Sequence, residues 1–569
     1  MQNDLLRTTG SIRNGEVPAL ILIVVFAGLL VLPIAVVGIP ENYDLSQHLR
    51  FARTYFDSIA NGTIFPAWAA NDNLGFGSIG IRFYPPLTYF PIGFFQLLTG
   101  SFYDSLWMSV LFWMIIGSVG MYALAREMMP VWYAFFAAVL YAIVPYHLVQ
   151  VYQAFLLAEF TASAILPFCF LFALRTVRSG SLSNVTLLAI SIALLILSHI
   201  PSTMIGSLGL AVFVVALLER GGALRASFRV AFAFALAAAA SSFYWVRMVT
   251  ELGWVKHNSR EFYGEGYYNY STYFFPMFIN GGEAYGPRFL WLWDIIILVT
   301  IFLIIPAIAV LFIRWRRAEG LSRPMFAFTL TSVFSFFMLS ILSAPLWDNV
   351  STLQKLQFPW RWLAVASFAA SIIFVMAAQD LFSRSKKLTR PLAYSLAFIL
   401  TTVLIFDLTQ SVIPSAPVPR TEFNKRIETL DNEAGCECWW PVWASKAALE
   451  RATPVEAGGR PVQISEWSPT RRTFTIADGV ETKVRVSTFY YPHWNAKING
   501  SRRKTHPGDD GTIELFMPTG ENTVDLEFYE PNAVAFSRYF SPLVWLLMLV
   551  LLGIHFRGRL RKSASSGLR

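Results

Sequence analysis

The sequence predicts a polytopic α-helical membrane protein of about twelve spans, with a small β-sandwich before the last span. Of its 569 residues, 55% are hydrophobic and 14% are charged, which is more apolar surface than one soluble core of this length can bury. The apolar residues fall into stretches of roughly 20, the length of a helix that crosses a bilayer. Alternation of polar and apolar residues, typical of strands, is concentrated near the C-terminal end.

The predicted spans begin near residues 18, 105, 131, 157, 183, 202, 229, 290, 325, 359, 391 and 539. Arg7 and Arg13 precede the first span as in a signal peptide, but the stretch is long and lacks a small-residue cleavage site, so we interpret it as a retained anchor. Pro85–Gly100 is also apolar. We expect an interfacial or re-entrant helix there, because counting it as a span would move every later basic cluster to the other side.

Basic residues fall on alternate connections between these spans, as the positive-inside bias requires. Two such clusters are Arg314-Trp315-Arg316-Arg317 and the tail with Arg557, Arg559, Arg561 and Lys562. We therefore expect a multi-pass protein of the inner cell membrane with both termini in the cytoplasm. Residues 40–104, 249–289, 345–358 and 411–537 then face outward. The net charge of +9 reflects this topology, and no nucleic-acid partner is expected.

Three domains are predicted: a transmembrane domain over residues 1–410, whose outer loop 40–104 carries interfacial helices; an outer β-rich domain over 411–537; and a final span with a basic tail over 538–569. Strands are predicted at Thr473–Ile476, Lys483–Phe489, Thr512–Phe516 and Thr523–Phe528. Turns such as Asn499-Gly500 separate them, which predicts a small antiparallel β-sandwich.

The three cysteines do not predict a disulfide framework. Cys169 lies in an apolar helix. Cys436 and Cys438 are separated by one residue, and we expect two free thiols there rather than a strained local disulfide.

Candidate catalytic residues are Asp44, His48 and Glu159. Asp44 directly follows the first span and His48 comes one helical turn later, so the two side chains would share a helix face. The alternative is that Asp44 is simply a helix N-cap at the membrane surface. Glu159 lies near the outer end of a span, and ionisable groups at membrane depth are candidates for function.

Seven further residues on the same side are candidates for substrate binding, and they are Arg82, Tyr84, His147, Gln153, His199, Lys355 and Arg361. The cluster Glu251, Lys256, His257, Arg260 and Glu261 could line the same cavity. Arg361 stands among aromatic residues at the end of a span, where a guanidinium can bind phosphate oxygens of a lipid. Its alternative role is anchoring to ordinary headgroups, and His199, beside Pro201, could be a satisfied core histidine.

Carboxylates opposite phosphate-binding cations at the outer leaflet favour one chemistry. A lipid phosphate that leaves needs its charge stabilised, and an acceptor hydroxyl needs a positioned base. The sequence contains no Walker loop, zinc-binding HExxH motif or nucleophile elbow.

An acidic residue early in the first loop, an interfacial Pro-Pro helix, many spans and an outer β-domain resemble the GT-C superfamily of glycosyltransferases. Three motifs resemble more narrowly the membrane proteins labelled 6-pyruvoyl-tetrahydropterin synthase-related and the YfhO-like proteins. They are Tyr84-Pro85-Pro86-Leu87, Gln357-Phe358-Pro359-Trp360-Arg361, and Tyr491-Pro492-His493-Trp494 followed by Asn499-Gly500. The label implies no pterin chemistry, and the sequence shows no zinc site of that kind.

The resemblance implies transfer of a sugar from a polyprenyl-phosphate donor to an envelope glycan, lipid or protein. Asp44 matches the acidic position of the superfamily, the base or metal-linked carboxylate, and Glu159 stands where a second acidic group is common. A divalent metal, Mg²⁺ or Mn²⁺, would then use Asp44 and Glu159. The sequence has Tyr-Asp-Leu-Ser-Gln-His instead of the Asp-Glu pair of some relatives, which leaves the metal open.

Two other functions use the same features. A transporter or flippase for a lipid-linked substrate would need the cavity but no bond chemistry, and such proteins commonly show repeats and interrupted helices. The sequence shows neither. A noncatalytic scaffold of envelope biogenesis would use the β-domain to bind glycan or a partner, and it gives the intramembrane Glu159 no role.

Overall fold

The computed structural model describes residues 15–41, 44–259, 270–280, 287–384, 389–451 and 453–566. Within these ranges, eight helices are long and apolar enough to cross a membrane, or nine if one bent pair is a single span. The eight spans lie in the helices Glu16–Val36, Phe102–Arg126, Leu157–Ser179, Ile200–Leu217, Ala223–Ala240, Pro287–Arg316, Leu363–Arg384 with the preceding turn, and Asn532–Ser566. The chain is therefore a multi-pass membrane protein.

The predicted count of twelve spans is not confirmed, although an apolar helix occurs at each predicted position. Thr389–Asp407 has 19 residues and continues into the π-helical segment Leu408–Val412, whereas two of these helices, Leu182–Ile196 and Arg323–Leu339, have 15 and 17 residues. At about 1.5 Å per residue these two rise less than the roughly 30 Å of a bilayer core. Another is broken, because Val131–Ile143 and Pro145–Gln153 meet at 42°. Val144, which precedes proline, leaves the helical conformation, with ψ at 133°.

The first loop folds into short helices that do not span. Leu45–Ala60 is amphipathic and packs on Tyr89–Thr99. The 11 residues of Tyr89–Thr99 rise only about 16 Å, as expected for the segment predicted not to cross. Tyr89 and Ile92 are buried on its inner face, while its outer face exposes apolar side chains, namely Phe94, Leu97 and Leu98. That outer face fits the surface of a membrane. Gly80–Phe83 is a further short helix of this loop, and it packs on Ser242–Glu251, the helix that follows the span Ala223–Ala240.

Residues 455–528, here called the β-region, form two antiparallel sheets. The four-stranded sheet has the order Val455–Glu456, Thr482–Phe489, Thr512–Met517, His506–Pro507. The five-stranded sheet has the order Val462–Ser468, Arg471–Ile476, Asn522–Phe528, Trp494–Ile498, Ser501–Arg503. All four predicted strands lie within observed ones. At the Asn499-Gly500 turn both residues have positive φ, 51° and 78°, as a two-residue hairpin of this kind requires.

The β-region packs directly on the first loop. The Trp68 ring lies 5.7 Å from that of Trp494, and the backbone N–H of Phe489 donates to the carbonyl of Phe76 at 2.8 Å. A separate two-residue ladder pairs Ile39–Pro40 with Pro417–Val418. The loop after the first span is thus fixed by two later segments of the chain, the β-region and Pro417–Val418.

The expectation of two free thiols at Cys436 and Cys438 is wrong, because the two residues form a disulfide. The turn Glu437–Trp439 brings their Cα atoms to 5.2 Å, which is inside the usual range of about 4.4–6.8 Å. Cys169 is free and buried in its helix.

Candidate active site

Arg361 and Glu159 form an ion pair where two membrane helices begin. Nε of Arg361 donates to Oε2 of Glu159 at 3.2 Å. Oε1 of Glu159, which is 2% exposed, accepts from the Tyr146 hydroxyl and from Gln150 Nε2, the latter at 3.2 Å. Both carboxylate oxygens are therefore engaged, and Glu159 holds the Arg361 guanidinium in place.

Two further acceptors fix the same guanidinium. Nη1 of Arg361 donates to the Leu356 carbonyl at 2.7 Å and to the Gln357 amide oxygen at 3.0 Å. Gln357 has a positive φ of 67°, which turns the chain so that these oxygens face the arginine. Nη2 of Arg361 donates to no acceptor among the described residues. One edge of a rigidly held guanidinium is thus available to a ligand.

Asp44 lies beside this pair with its carboxylate unused. It occupies the N-cap position of Leu45–Ala60, as the capping alternative requires, but its side chain makes no capping hydrogen bond. Within the described ranges it forms no ion pair either. Burial raises the pKa of Asp44 to about 6, the charge of Arg361 opposes this rise, and the charge of Glu159 adds to it. Asp44 is a partly exposed carboxylate that is ionised at neutral pH and ready to take up a proton.

His48 and Tyr84 form an aromatic wall next to Asp44. Nδ1 of His48 shares a hydrogen bond of 2.9 Å with the Tyr89 hydroxyl, while its buried Nε2 has no partner. Burial lowers the pKa of His48 to about 3, so the imidazole is neutral. The Tyr84 ring lies 5.8 Å from His48, edge to face, and burial with the charge of Asp44 raises the pKa of its hydroxyl. His48 thus lies one helical turn after Asp44, as the sequence predicts, and the catalytic and binding roles of Asp44, His48 and Tyr84 stay predictions.

Two more histidines border the site. Burial lowers the pKa of His199, and the charge of Arg361 adds to this effect. His199 caps Ile200–Leu217 through Ser202, with Nδ1 and the serine hydroxyl 2.8 Å apart, so its alternative role as a satisfied histidine fits. His257 is stacked on Trp439 with ring centroids 4.4 Å apart, and burial lowers its pKa to about 4, with a contribution from Arg361.

Trp439 is a site residue that sequence reasoning missed. Its ring lies 5.6 Å from Tyr84 and 5.9 Å from Phe51, so the segment with the disulfide covers the site from the side of the β-region. The run of two cysteines and two tryptophans at 436–440 was a signal that pointed to a packed element rather than an open loop.

Arg82 does not belong to this site, which corrects the expectation that it binds phosphate. Its side chain is fully buried, and all five N–H donors are used: Nε and Nη2 on Glu251, Nη1 and Nη2 on Glu530, and Nη1 also on the Ala67 carbonyl. The distances run from 2.6 to 2.9 Å. No donor remains for a ligand, so Arg82 joins the first loop to the chain on either side of the β-region.

Other residues complete this buried network. Arg247 donates to Glu530 at 2.8 Å, and Tyr491 and His493 contact Glu251 at 2.5 and 3.0 Å. Burial alone would raise the pKa of Glu251, but hydrogen bonds from His493 and Arg82 and the charge of Arg82 lower it to about 2. The predicted motif with Tyr491 and His493 therefore fixes the β-region to the helical body.

Three predicted substrate-binding residues lie outside the cluster of Asp44. His147 packs against Tyr141, whose carbonyl is 2.7 Å from its Nδ1, and its Nε2 is buried without a partner. Gln153 donates to the Ser411 carbonyl at 2.5 Å. Lys355 is exposed. A substrate role for these three stays a prediction, and Arg260 and Glu261 lie outside the described residues.

A metal site is not formed by the described residues, which contain no group of three or more His, Cys, Asp and Glu side chains able to hold an ion. Of the two carboxylates suggested for a metal, Glu159 already binds Arg361, Tyr146 and Gln150. Asp44 alone is an incomplete donor set.

The fold and the site define a multi-pass membrane protein with a polar site where its first loop meets the helix ends. The chain belongs to the family described as "6-pyruvoyl-tetrahydropterin synthase related domain; membrane protein", which matches residues 81–415. This confirms the resemblance of the motifs to the membrane proteins labelled 6-pyruvoyl-tetrahydropterin synthase-related. A comparison with curated proteins finds no significant match.

Several solved membrane glycosyltransferases are similar in structure. ArnT from Cupriavidus metallidurans bound to undecaprenyl phosphate is 12% identical over 74% of this chain and 70% of that one, with a TM-score of 0.42. The Archaeoglobus fulgidus oligosaccharyltransferase with zinc and sulfate is 14% identical over 73% and 58%, with a TM-score of 0.42. Arabinosyltransferase EmbB from Mycobacterium smegmatis is 11% identical over 93% and 65%, with a TM-score of 0.36. The chain thus spans less than two thirds of the last two.

Proposed function

We propose that this protein is a glycosyltransferase that moves a sugar from a polyprenyl-phosphate-linked donor to an envelope glycan, lipid or protein. The observation that carries the proposal is the unpartnered carboxylate of Asp44 beside the Arg361 guanidinium, which is fixed by Glu159 and keeps one edge free. A base next to a cation suits a reaction in which an acceptor loses a proton while a phosphate leaves.

The reaction needs no further reactant. Asp44 accepts the proton of the acceptor hydroxyl as its oxygen forms a bond to the anomeric carbon of the sugar. The bond from that carbon to the phosphate oxygen breaks, and polyprenyl phosphate departs with the electron pair. Arg361 stabilises the departing phosphate through its free Nη2 edge. The proton on Asp44 passes to solvent, which restores the base.

The aromatic wall orients the sugar. Neutral His48 has its unpartnered Nε2 directed away from Tyr89, where it can share a hydrogen bond with a substrate hydroxyl. Tyr84 and Trp439 supply ring faces on which a sugar can pack.

The membrane side follows from charge. With the basic clusters in the cytoplasm, both termini are cytoplasmic, the protein lies in the inner membrane, and the site opens on the outer face. Nucleotide-linked sugars are cytoplasmic substrates, so a lipid-linked donor is the one available there.

The test uses purified full-length protein in lipid vesicles with a radiolabelled polyprenyl-phosphate sugar and an envelope extract as acceptor. Asp44→Asn should lower the transfer rate by about 10²–10⁴-fold, the usual contribution of a general base. Asp348→Asn, at an exposed carboxylate of the short helix Ala344–Asn349, should retain it. Full transfer by the Asp44→Asn protein would overturn the proposal.

A second candidate, a transporter or flippase, is favoured by one observation. The bent pair Val131–Ile143 and Pro145–Gln153 ends in a π-helical segment, and this segment packs on a second π-helical segment, Leu408–Val412. Interrupted helices that meet are typical of transport pathways. Movement of the lipid-linked sugar across vesicles without any product would support this candidate over transfer.

A further inference from the structure

A cavity of about 500 Å³ opens along the Leu45–Ala60 helix, and its lining includes none of Asp44, His48, Glu159 and Arg361. It lies along the C-terminal half of the Leu45–Ala60 helix, the loop that follows this helix, and two short segments at residues 430–431 and 469–470. The helix that has Asp44 at its N-cap therefore also forms one wall of this cavity, through residues nearer its C-terminal end.

The charges of the cavity are already paired. Arg50 is buried against Asp72, with 3.9 Å between Nη1 and Oδ1. Arg53 lies 3.0 Å from Asp431 and 3.8 Å from Asp57. Three carboxylates thus face two guanidiniums, and each guanidinium has a carboxylate partner. Such a surface does not attract phosphate, in contrast to the free edge of Arg361.

The remaining lining is rich in hydrogen-bonding groups. Hydroxyl and amide side chains line it at Thr54, Ser58, Asn61, Asn71 and Thr470. In addition, Nη1 of Arg50, whose side chain is only 3% exposed, has no hydrogen-bond acceptor. Carboxylates, amides and an unsatisfied donor together match a ligand with many neutral hydroxyls.

We infer that this cavity binds a neutral glycan segment of the acceptor. That this glycan is the acceptor of the transfer rests on the proposed function, whereas its binding in the cavity does not. At about 1.5 Å per residue, Arg50 lies about 9 Å and Asp57 about 20 Å along the helix from Asp44. A glycan held in the cavity can therefore extend one end toward Asp44, while the lipid phosphate stays at Arg361.

The experiment measures binding of the fluorescently labelled full-length protein in nanodiscs to a printed array of neutral and phosphorylated oligosaccharides. Neutral oligosaccharides should bind, and the double variant Asp57→Asn, Asn71→Ala should weaken this binding at least tenfold. Both side chains are partly or fully exposed, so the fold is retained. Glu481→Gln, at an exposed carboxylate of the β-region, is the matched control and should bind as the wild type does.

Three results would overturn the inference: binding of phosphorylated oligosaccharides alone, equal binding by the double variant, or no binding to the array. The Asp44→Asn protein separates the two proposals. It should lose transfer but keep glycan binding. If neutral glycans bind in the cavity while no transfer from a polyprenyl-phosphate sugar is found, the proposed function fails and the glycan site stands.

Discussion

Nε of Arg361 donates to Oε2 of Glu159 across 3.2 Å, although 202 positions separate the two residues in the sequence. The contact joins the start of one membrane helix to the start of another. It also leaves Nη2 of the guanidinium without an acceptor among the described residues, close enough to Asp44 for its charge to oppose the rise in the pKa of that carboxyl, and the candidate chemistry depends on this arrangement.

Replacement of Arg361 by lysine should lower the transfer rate at least tenfold. A lysine ammonium has three donors and no planar fork, too few for Glu159, the Leu356 carbonyl, the Gln357 amide oxygen and a phosphate at the same time. Steady-state transfer in vesicles measures this effect. Arg314→Lys, at an arginine that pairs with Asp380 elsewhere, is the control and should be close to wild type. A fully active Arg361→Lys protein would show that a simple positive charge is enough.

The transfer rate should fall as the pH drops through about 6. Asp44 must be ionised to accept a proton, and burial raises its pKa to about 6, so the rate is constant above pH 7 and falls about tenfold per unit below pH 5. His48 does not produce this inflection, because its pKa is lowered to about 3. Thermal unfolding at each pH separates the effect from loss of fold. An inflection near pH 4 would mean that Asp44 behaves as an ordinary exposed carboxylate.

Replacement of Arg82 by glutamine should release the β-region from the helical body. The change removes the guanidinium shared by Glu251 and Glu530, which leaves Glu251 with Tyr491 and His493 and leaves Glu530 with Arg247, and a broken buried pair costs about 3–5 kcal/mol. Limited proteolysis should cut near the β-region faster than in the wild type. Arg420→Gln, which breaks an exposed pair with Asp104, should cost less than about 1 kcal/mol. Equal proteolysis of the two variants would count against the role assigned to Arg82.

Replacement of Gly77 by alanine should destabilise the protein more than replacement of Gly75. Both glycines have a φ of +86°, so the backbone cost is the same. A Cβ at Gly77 would lie 2.2 Å from Nε1 of Trp68, whereas a Cβ at Gly75 meets open space. The difference between the two melting temperatures isolates the clash with Trp68. Identical melting temperatures would mean that the Trp68 ring moves without cost.

Chelation of divalent metal should leave transfer unchanged. Glu159 is committed to Arg361 and two neutral donors, and the described residues provide no third ligand beside Asp44. The transfer rate is compared before and after EDTA treatment, followed by addition of Mg²⁺ or Mn²⁺. A loss with EDTA that either ion restores would show that Glu159 changes partner when a metal binds.

Much of the fold could be predicted because hydropathy and alternation are local properties. Helices appear at every predicted span, and Thr482–Phe489 and Asn522–Phe528 contain predicted strands. The number of spans could not be predicted as well. Leu182–Ile196 is as apolar as a span but too short, and its length is set by capping residues such as Ser181, which accepts a hydrogen bond from Asn184.

The site was predictable where residues share an element and less so where they do not. Asp44 and His48 lie one turn apart, so their proximity follows from helix geometry. Arg82 shows the limit of this reasoning. Its position outside the membrane predicts a phosphate ligand as readily as a buried ion pair, and only tertiary packing brings Glu251 and Glu530 to it. The role of Trp439 likewise depends on contacts far along the chain.

The ladder of Ile39–Pro40 with Pro417–Val418 can form only late in biosynthesis, because its two strands are far apart in the sequence. Ile39 and Val418 are partners that stand 379 positions apart in the sequence. At about 5–20 residues per second, a ribosome delivers Val418 about 20–75 s after Ile39. Throughout that interval Trp68 has no β-region to pack against, so this part of the first loop stays uncovered. The loop that carries Asp44 is among the first parts of the chain to leave the ribosome and among the last to reach its final structure.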